Sequence, residues 1–345
     1  MRISDFDYEL PPALIAQQPL PERAASRMLV VDRATQTWSD SQFELLPEYL
    51  KEKDALVLNN TRVFPARLIG ERSPSGGAVE LLLIREIEAN VWEALARPAR
   101  RLRKGARIVF GGTRLNAEVV DLLDNGVRAV RFESGEALEG VIDELGETPL
   151  PPYLKRDAID DGNDKDRYQT VYASQRGAIA APTAGLHFTP NVLAAVRARG
   201  VSIIEITLHV GYGTFEPVRT DEVQLHRVAP EWSSITGEAA TAINQARERG
   251  GRVIAVGTTT IRALESASSP DGSVRSTSGN VDLTIVPGYK FGAVDALLTN
   301  FHLPRSSLLI LVSAFAGRDL ILGAYRHAVR EGYRFYSYGD CMLIQ

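Results

Sequence analysis

Apolar and polar positions between residues 65 and 133 form short runs separated by glycine-containing turns. Short β-type runs at this spacing are typical of a small antiparallel barrel or sandwich. The predicted strands cover residues 79–84, 91–96, 107–110, 116–120 and 127–132. Residues 136–145 then predict a short helix, and the proline-rich stretch 149–152 breaks the chain. This region therefore predicts a small β-domain.

The rest of the chain shows strands alternating with helices, which is the pattern of an α/β domain. Predicted strands cover residues 55–60, 201–208, 252–256 and 333–337, and predicted helices cover 189–200, 238–249, 306–316 and 319–330. Residues 157–166, with five aspartates, and 268–280, rich in serine and glycine, predict surface loops. We predict an α/β (mixed α+β) protein: a large α/β domain of residues 1–63 and 150–345, with a small antiparallel β-barrel domain of residues 64–149 inserted into it.

Composition limits the cofactors and the location. The 345 residues carry a formal net charge of -4, so an acidic partner would need a local basic patch. The single cysteine, Cys341, excludes an intramolecular disulfide and a thiolate-rich zinc or iron–sulfur site. No two histidines have the i, i+4 spacing of a helical zinc site, and we predict no metal. Without a signal peptide or an apolar stretch long enough to span a bilayer, we expect a cytoplasmic protein with no membrane contact.

The strongest local signal for a binding site follows the predicted strand 252–256. The loop reads Gly257-Thr258-Thr259-Thr260 and leads into a helical stretch. Free backbone N–H groups, the helix dipole and hydroxyl groups at such a helix start are complementary to an anion such as a carboxylate. Two alternatives remain open. The threonines could only cap the helix, and Arg262 could pair either with the anion or with Glu265 or Glu248.

Three histidines, His187, His209 and His302, lie in loops rich in glycine, threonine and proline. Histidine is suited to proton transfer near neutral pH, although each of these could equally have an ordinary hydrogen-bonding role. His209 begins the segment His-Val-Gly-Tyr-Gly, whose glycines would let backbone N–H groups approach a ligand closely. No third glycine follows, so the segment is not a dinucleotide-binding fingerprint. His327, in a helix among polar residues, is expected to face solvent.

A basic turn of the predicted barrel carries six cations and no acid. Phosphate backbones of nucleic acids are attracted to such clusters, which favours RNA binding over the alternative of a solvated hairpin. The six residues are Arg97, Arg100, Arg101, Arg103, Lys104 and Arg107.

Ordered sequence blocks along nearly the whole chain resemble the S-adenosylmethionine:tRNA ribosyltransferase-isomerase family of queuosine biosynthesis. So many blocks in the same order make chance similarity implausible. The matching blocks are residues 8–11, 26–27, 59–63, 65–67, 167–172, 180–189, 209–215, 256–260, 287–289, 298–304, 306–309 and 336–340.

The resemblance implies both a fold and a reaction. The family fold is a large α/β domain with a small β-barrel domain. The family reaction transfers and isomerises the ribosyl moiety of S-adenosylmethionine onto 7-aminomethyl-7-deazaguanine at the tRNA wobble position, which gives epoxyqueuosine and releases adenine and methionine. S-adenosylmethionine is then a consumed co-substrate, and no cofactor is expected. The expected partner is tRNA carrying the modified base, bound by a monomer.

The implied chemistry suggests catalytic residues. The sulfonium acidifies the neighbouring ribose carbon, so a base must remove a proton there. His187 is the candidate base, with Glu231 and Asp340 as alternatives. His302 or Asn300 would supply a proton or hydrogen bonds to the departing adenine.

Substrate binding is expected at the loops named above. The methionine carboxylate would rest on Thr258, Thr259 and Thr260 with Arg262 nearby, and Phe215 and Tyr289 would stack on a base. The full predicted set is Arg62, Thr183, Gly185, His209, Gly211, Gly213, Thr214, Phe215, Thr258, Thr259, Thr260, Arg262, Tyr289 and Asn300.

One departure from the family pattern leaves alternatives open. Family members usually carry a His-x-Met-His-x-Glu run, but here His226 is followed by Val228 and Ala229 in place of the methionine and the second histidine. The chain could therefore be a divergent paralogue that opens S-adenosylmethionine onto another amine acceptor. A third hypothesis is a non-catalytic RNA-binding protein, which would leave the histidine- and threonine-rich loops unexplained.

Overall fold

A computed structural model describes residues 1–154, 164–215 and 218–345. Most of the predicted surface loop 157–166 lies outside these ranges. The strands are β1 Arg27–Asp32, β2 Thr37–Gln42, β3 Ala55–Asn59, β4 Thr61–Val63, β5 Arg67–Ser73, β6 Gly77–Glu88, β7 Val91–Arg97, β8 Arg107–Phe110, β9 Leu115–Leu122, β10 Val127–Ser134, β11 Gln175–Ala178, β12 Ser202–Leu208, β13 Glu231–Ile235, β14 Val253–Val256, β15 Thr277–Val281, β16 Ala296–Asn300 and β17 Cys341–Ile344. The α-helices are α1 Leu46–Tyr49, α2 Leu138–Leu145, α3 Asp164–Arg167, α4 Pro190–Ala198, α5 Gly237–Glu248, α6 Thr258–Ser266, α7 Ser307–Ala316 and α8 Arg318–Arg330.

A large mixed sheet forms the centre of the molecule. Its strand order is β15-β13-β12-β3-β14-β16-β17-β1-β2. The four central strands, β12, β3, β14 and β16, run parallel to one another. Strands β3, β14 and β16 are buried at every position, as expected for parallel strands covered on both faces. The predicted α/β fold class is confirmed.

A closed antiparallel barrel holds six strands in the order β10-β7-β6-β5-β8-β9. The sequence predicted five of them and missed β5. Strand β5 has no long apolar run in its sequence, and only its Leu68 is fully buried. Buried side chains of the other strands fill the barrel, and Val141 and Ile142 of α2 join this core. The exact domain boundaries at residues 64 and 149 stay a prediction.

Two predictions of local structure were wrong. The last strand is β17, not residues 333–337, because Tyr336 has a φ of 76° and such a left-handed residue does not fit an extended strand. Residues 268–280 are not simply a loop, since they run into strand β15, which pairs with β13 at the sheet edge. Polar edge strands of this kind have no alternating apolar pattern to reveal them.

Other local predictions were confirmed. The Thr189 hydroxyl caps α4 by accepting a hydrogen bond from the backbone N–H of Val192 at 3.2 Å. Across the described residues no single helix is both long and apolar enough to cross a bilayer. Helices α7 and α8 meet those criteria only as a pair, and a bend of 117° separates them.

Candidate active site

The carboxyl ends of the four central parallel strands meet at one edge of the large sheet. Asn59, the last residue of β3, joins three of them through buried hydrogen bonds. Its Nδ2 donates to the Leu208 carbonyl at 2.9 Å and reaches Thr259 Oγ1 at 3.4 Å, and its Oδ1 accepts from the Leu208 N–H at 2.9 Å. Ligands of open α/β sheets bind at this edge, so it is where a site is expected.

A cavity opens at this edge, and we refer to it as the first cavity. Segments that are far apart in sequence line it, including the loops after β12, β14 and β16. The lining residues are Tyr168, Ala180, Ala181, Pro182, Thr183, Ala184, Val210, Gly257, Thr258, Thr259, Thr299, Asn300, His302, Leu308, Tyr336 and Ser337. Of the predicted residues, the cavity brings together Thr183, Thr258, Thr259, Asn300 and His302.

The threonine loop places the start of α6 against the first cavity. Gly257 precedes the helix with a φ of 93°, a conformation that glycine adopts without strain. No side chain caps α6, so the alternative that the threonines serve as its cap is wrong. Thr258 and Thr259 line the cavity, whereas the Thr260 hydroxyl donates back to the Val256 carbonyl at 2.6 Å. The helix start is thus available to an anion in the cavity.

Asn300, the last residue of β16, and His302 also line the first cavity. His302 Nε2 lies 3.0 Å from Thr299 Oγ1, and burial lowers the pKa of His302 to about 3. Asn300 Nδ2 donates to the Tyr336 carbonyl at 2.9 Å. Its Oδ1 is buried and has no hydrogen-bond partner among the described residues. An unsatisfied buried acceptor is unfavourable, so this atom has a reason to meet a ligand donor.

His187 ends the 3₁₀ turn Thr183–His187 and is buried. Burial lowers its pKa to about 4, and the neighbouring Asn300 side chain opposes that shift. The Nδ1 atom lies 2.9 Å from Ser26 Oγ. The Nε2 atom is buried and has no hydrogen-bond partner in the described chain. The imidazole is therefore neutral at physiological pH, with Nδ1 beside Ser26 Oγ and the Asn300 side chain as its other hydrogen-bonding neighbour.

The contacts of Ser26 are compatible with a His187 tautomer that carries its proton on Nδ1. The Ser26 hydroxyl lies 3.3 Å from the Arg23 carbonyl oxygen, which can only accept a hydrogen bond. When the hydroxyl donates to that carbonyl, its oxygen can accept from Nδ1–H of His187. This arrangement leaves the lone pair of the ring on Nε2, as a general base requires.

Arg262 and Glu231 form a buried ion pair beside a second cavity, with side-chain exposures of 8% and 4%. Glu231 Oε1 also accepts the backbone N–H of Gly211 at 2.8 Å, and Arg262 Nε donates to the Leu283 carbonyl at 3.1 Å. Both predicted partners of Arg262, Glu265 and Glu248, were therefore wrong. Arg262 lines the second cavity and not the first, and its role near the carboxylate site stays a prediction.

The second cavity shares Leu308 with the first. His226 is buried on its wall, and no described residue bonds its Nε2. Ala229 also lines it, so the departure from the family run affects this cavity. Its lining is Gly213, His226, Val228, Ala229, Glu231, Arg262, Leu283, Thr284, Ile285, Ser307, Leu308 and Leu311.

Asp340 and His209 lie outside both cavities. The Asp340 carboxylate accepts backbone N–H groups of Arg27 at 2.9 Å and Arg334 at 2.8 Å, which ties β1 to the last turn of the chain. Burial raises the pKa of Asp340, against the effect of these bonds. His209 Nδ1 lies 2.8 Å from Thr61 Oγ1, and burial lowers its pKa.

Several other predicted residues line neither cavity. Arg62 is exposed on β4, and Gly185 packs against Tyr172. Tyr289 donates to Glu265 at 3.3 Å, and burial raises its pKa to about 12. The side chains of Thr214 and Phe215 lie outside the described structure.

His327 does not face solvent as predicted. Its side chain is 14% exposed, and its Nε2 lies 3.0 Å from the Asp40 carboxylate. The polar residues around it in the helix gave no indication of this partner, which comes from strand β2.

The basic turn is exposed, but acids lie near it. Lys104 Nζ is 3.7 Å from Asp121, and Arg97 is 4.0 Å from Glu80. These acids come from neighbouring strands, so the turn has acidic neighbours in the fold although its own sequence contains no acid. Ion pairs this exposed are weak and compete little with a phosphate backbone.

Sequence reasoning gave no role to Ser26, Thr299 or Tyr336. Ser26 meets His187 across 161 residues of chain. Tyr336 borders the first cavity in a left-handed conformation, which is a sparsely populated state often found at functional sites. Only the family blocks that contain these residues gave any signal for them.

Comparisons with known proteins agree over the full chain. A family model described as queuosine biosynthesis protein matches residues 3–344. Proteins named S-adenosylmethionine:tRNA ribosyltransferase-isomerase from Caldanaerobacter subterraneus subsp. tengcongensis and Moorella thermoacetica are 50% and 52% identical, and each comparison covers 100% of both chains. The crystal structure of S-adenosylmethionine tRNA ribosyltransferase from Thermotoga maritima is 37% identical, with a TM-score of 0.56, and covers 99% of this chain and 100% of that chain.

Proposed function

The chain belongs to the queuosine biosynthesis protein family, and we propose that it transfers and isomerises the ribosyl moiety of S-adenosylmethionine onto 7-aminomethyl-7-deazaguanine in tRNA. The family resemblance is confirmed, and full-length relatives at about 50% identity carry one enzyme name. Under this proposal the products are epoxyqueuosine in tRNA, adenine and methionine. S-adenosylmethionine is consumed, and no further cofactor takes part.

The observation that carries this proposal is the convergence of complementary groups at the first cavity. The start of α6, with Thr258 and Thr259, offers an anion site for the methionine carboxylate. Asn300 offers an unpaired acceptor in the same cavity. S-adenosylmethionine needs an anion site for its carboxylate and hydrogen-bonding groups for its adenine. The cavity supplies both kinds of group without a buried unpaired charge.

His187 is the proposed base. Its Nε2 lone pair takes the proton from the ribose carbon bonded to sulfur, while Ser26 holds the Nδ1 proton. The alternatives are less available, because Glu231 is paired with Arg262 and both oxygens of Asp340 accept backbone N–H groups. A free lone pair in a buried, neutral ring favours His187.

Adenine departure is assigned to hydrogen bonding from the wall formed by Asn300 and His302. With a pKa lowered to about 3, His302 is neutral at physiological pH and is not a cationic acid. It therefore acts as a hydrogen-bonding group, held by Thr299. The proton that adenine needs comes from another group or from water.

The basic turn is the proposed tRNA contact on the barrel. Replacing Arg100, Arg101 and Arg103 together by Gln is expected to weaken binding of an anticodon stem-loop and to reduce its salt dependence. Binding measured from 50 to 300 mM KCl checks this. Unchanged affinity and salt dependence would make the turn a solvated surface.

One assay tests the proposed reaction. The protein is incubated with S-adenosylmethionine and an anticodon stem-loop bearing the aminomethyl base, in buffer with EDTA and no added cofactor. Adenine, methionine and the modified nucleoside are expected in equal amounts. RNA binding without adenine release would contradict the enzyme reading.

A second candidate, a related enzyme with another amine acceptor, is favoured by one observation. Ala229, which replaces the family's usual second histidine, lines the second cavity and lies against Gly213. A different group could occupy that space. Adenine release that depends on another amine, and not on the modified stem-loop, would support this candidate.

A further inference from the structure

A third cavity, the arginine pocket, opens beside His187. Arg23 and Arg167 line it, together with Ser26, His187 and residues 337–339. The two arginines are 144 positions apart in sequence and belong to neither the basic turn nor the first cavity. The pocket therefore places two cations beside the ring that the proposed reaction uses.

Backbone carbonyl groups hold both arginines in place. Arg23 donates to the carbonyls of Leu186 at 3.1 Å and Asp166 at 2.8 Å. Arg167 donates to the carbonyls of Pro21 at 3.0 Å and Leu20. Carbonyl groups orient a guanidinium without neutralising its charge. Within the described ranges, neither arginine forms a salt bridge with a carboxylate, and Arg167 Nε has no hydrogen-bond partner.

Arginine charges act on both Arg23 and His187 in this region. Burial lowers the pKa of Arg23, the charge of Arg167 acts in the same direction, and Tyr338 and Asp166 act against it. Burial is also the main cause of the lowered pKa of His187, to which the charges of Arg23 and Arg334 add. Arg23 and Arg167 are half-buried and repel each other, although the chain as a whole has a net charge of -4. An anion bound between them would offset this repulsion.

We propose that the arginine pocket binds a backbone phosphate of the RNA substrate next to the nucleotide that is modified. This inference rests on the proposed function, since the acceptor base must reach the ribose whose proton His187 removes. The modified nucleotide carries a phosphate on each side, so one phosphate necessarily lies close to the reacting base. Two oriented guanidinium groups match the oxygens of a phosphate diester.

A nucleic-acid phosphate explains the pocket better than a base or a carboxylate does. The oxygens of a phosphate diester only accept hydrogen bonds, and the side chains of Arg23 and Arg167, the two cations of the pocket, only donate. The carboxylate of S-adenosylmethionine already has the start of α6 in the first cavity. The RNA backbone is the remaining anion that the proposed reaction brings to His187.

The test measures binding of an unmodified anticodon stem-loop to Arg23→Gln and Arg167→Gln over 50–300 mM KCl. Each variant should weaken binding about tenfold at 0.1 M salt and reduce the slope of log affinity against log salt by about 1. Inorganic phosphate at the same ionic strength should compete with the stem-loop in the parent protein and less in the variants. Arg23→Lys and Arg167→Lys should retain most of the salt dependence.

Arg33→Gln is the matched control. Arg33 is also half-buried, donates to the carbonyls of Asp295 and Phe315, and has a pKa lowered by burial, but it does not line the pocket. This control should bind the stem-loop like the parent protein. Thermal unfolding and S-adenosylmethionine binding check that each variant is folded.

Parent-like affinity and salt slope in folded Arg23→Gln and Arg167→Gln would overturn the proposal. So would equal losses in Arg33→Gln, since these would show a general effect of charge or stability. Because the binding assay needs no turnover, its failure is distinct from failure of the adenine-release assay. Competition by phosphate without any effect on stem-loop binding would identify a site for a free anion and contradict the RNA assignment.

Discussion

The first and second cavities lie side by side and share Leu308, but their buried polar groups are paired differently. The first cavity presents an unpaired acceptor on Asn300 and the open start of α6. The second also has an unpaired nitrogen, His226 Nε2, but its charged groups, Arg262 and Glu231, neutralise each other. Unpaired neutral groups can form hydrogen bonds with a substrate, whereas a buried ion pair mainly stabilises the fold around it. We therefore assign chemistry to the first cavity and to His187 beside it, and a structural role to the ion pair.

The largest expected effect is on turnover in His187→Gln. Removal of the base should lower the rate of adenine release by about 10³-fold, within the range for general base catalysis. Affinity for S-adenosylmethionine and for the stem-loop should change less than about twofold, because His187→Gln replaces one neutral side chain by another and leaves the cations of the arginine pocket in place. Single-turnover kinetics measure the rate. His327→Gln, at a histidine outside both cavities, is the control, and equal losses in the two variants would contradict the assignment.

The second prediction concerns the ion pair. Arg262→Met leaves the Glu231 carboxylate buried without its cation, which should lower the free energy of unfolding by about 3–5 kcal/mol. Urea unfolding measures this loss. Arg330→Met removes an exposed pair with Glu331 and should cost less than about 1 kcal/mol. If Arg262→Met were as stable as the parent protein but inactive, the second cavity would have the catalytic role.

The third prediction is a dependence of stability on pH. The folded pKa values of His187 and His302 are about 4 and about 3, below the usual value of 6.5. Between pH 6.5 and 4 the unfolded chain therefore binds more protons, so the free energy of unfolding should fall as the pH falls. Each histidine contributes up to about 1.4 kcal/mol per pH unit. Urea unfolding at pH 7, 6 and 5 checks the direction, and His187→Gln should show a shallower fall than the parent protein.

Activity should follow the same ionisation. A base with a pKa of about 4 is already deprotonated at pH 6, so His187 should cause no loss of single-turnover rate between pH 8 and 6. An acid limb near pH 6.5 that disappears in His187→Gln would show that the ring ionises normally, as a solvated histidine does.

The contrast between the cavities was only partly predictable from sequence. Apolar runs revealed three of the four central strands, so the loops after them were correct places to look. The direction of a side chain was not predictable, since Arg262 faces Glu231 across 31 positions instead of the helix neighbours that the sequence suggested. His187 gains a hydrogen-bonding partner in Ser26, which lies in a segment that no local pattern connects to it.

The clearest failures have the same physical cause. Residues 333–337 are apolar enough for a strand, but the left-handed Tyr336 turns the chain toward the first cavity. Arg23 and Arg167 are ordinary cations in sequence, and only the fold brings them together at one pocket. Local patterns predict elements well, whereas pairing between distant residues depends on how those elements pack.

The smallest expected effect is at Tyr289, which was expected to stack on a base but lines neither cavity. Tyr289→Leu should change the KM for S-adenosylmethionine less than about threefold, because the ring packs against Phe291 at a centroid distance of 5.0 Å. Steady-state kinetics measure this constant. A tenfold or larger increase in KM in a folded variant would bring Tyr289 back into the substrate site.

The central claim is that His187 Nε2 removes the proton from the ribose carbon bonded to sulfur. The most direct measurement uses S-adenosylmethionine deuterated at that carbon, with the stem-loop present. Mass spectrometry of the recovered substrate and product then follows the loss of deuterium from that carbon to water. Deuterium loss is expected with the parent protein. With His187→Gln the loss should be at least about 100-fold slower, although that variant still binds S-adenosylmethionine. Deuterium loss at the parent rate in His187→Gln would contradict the claim.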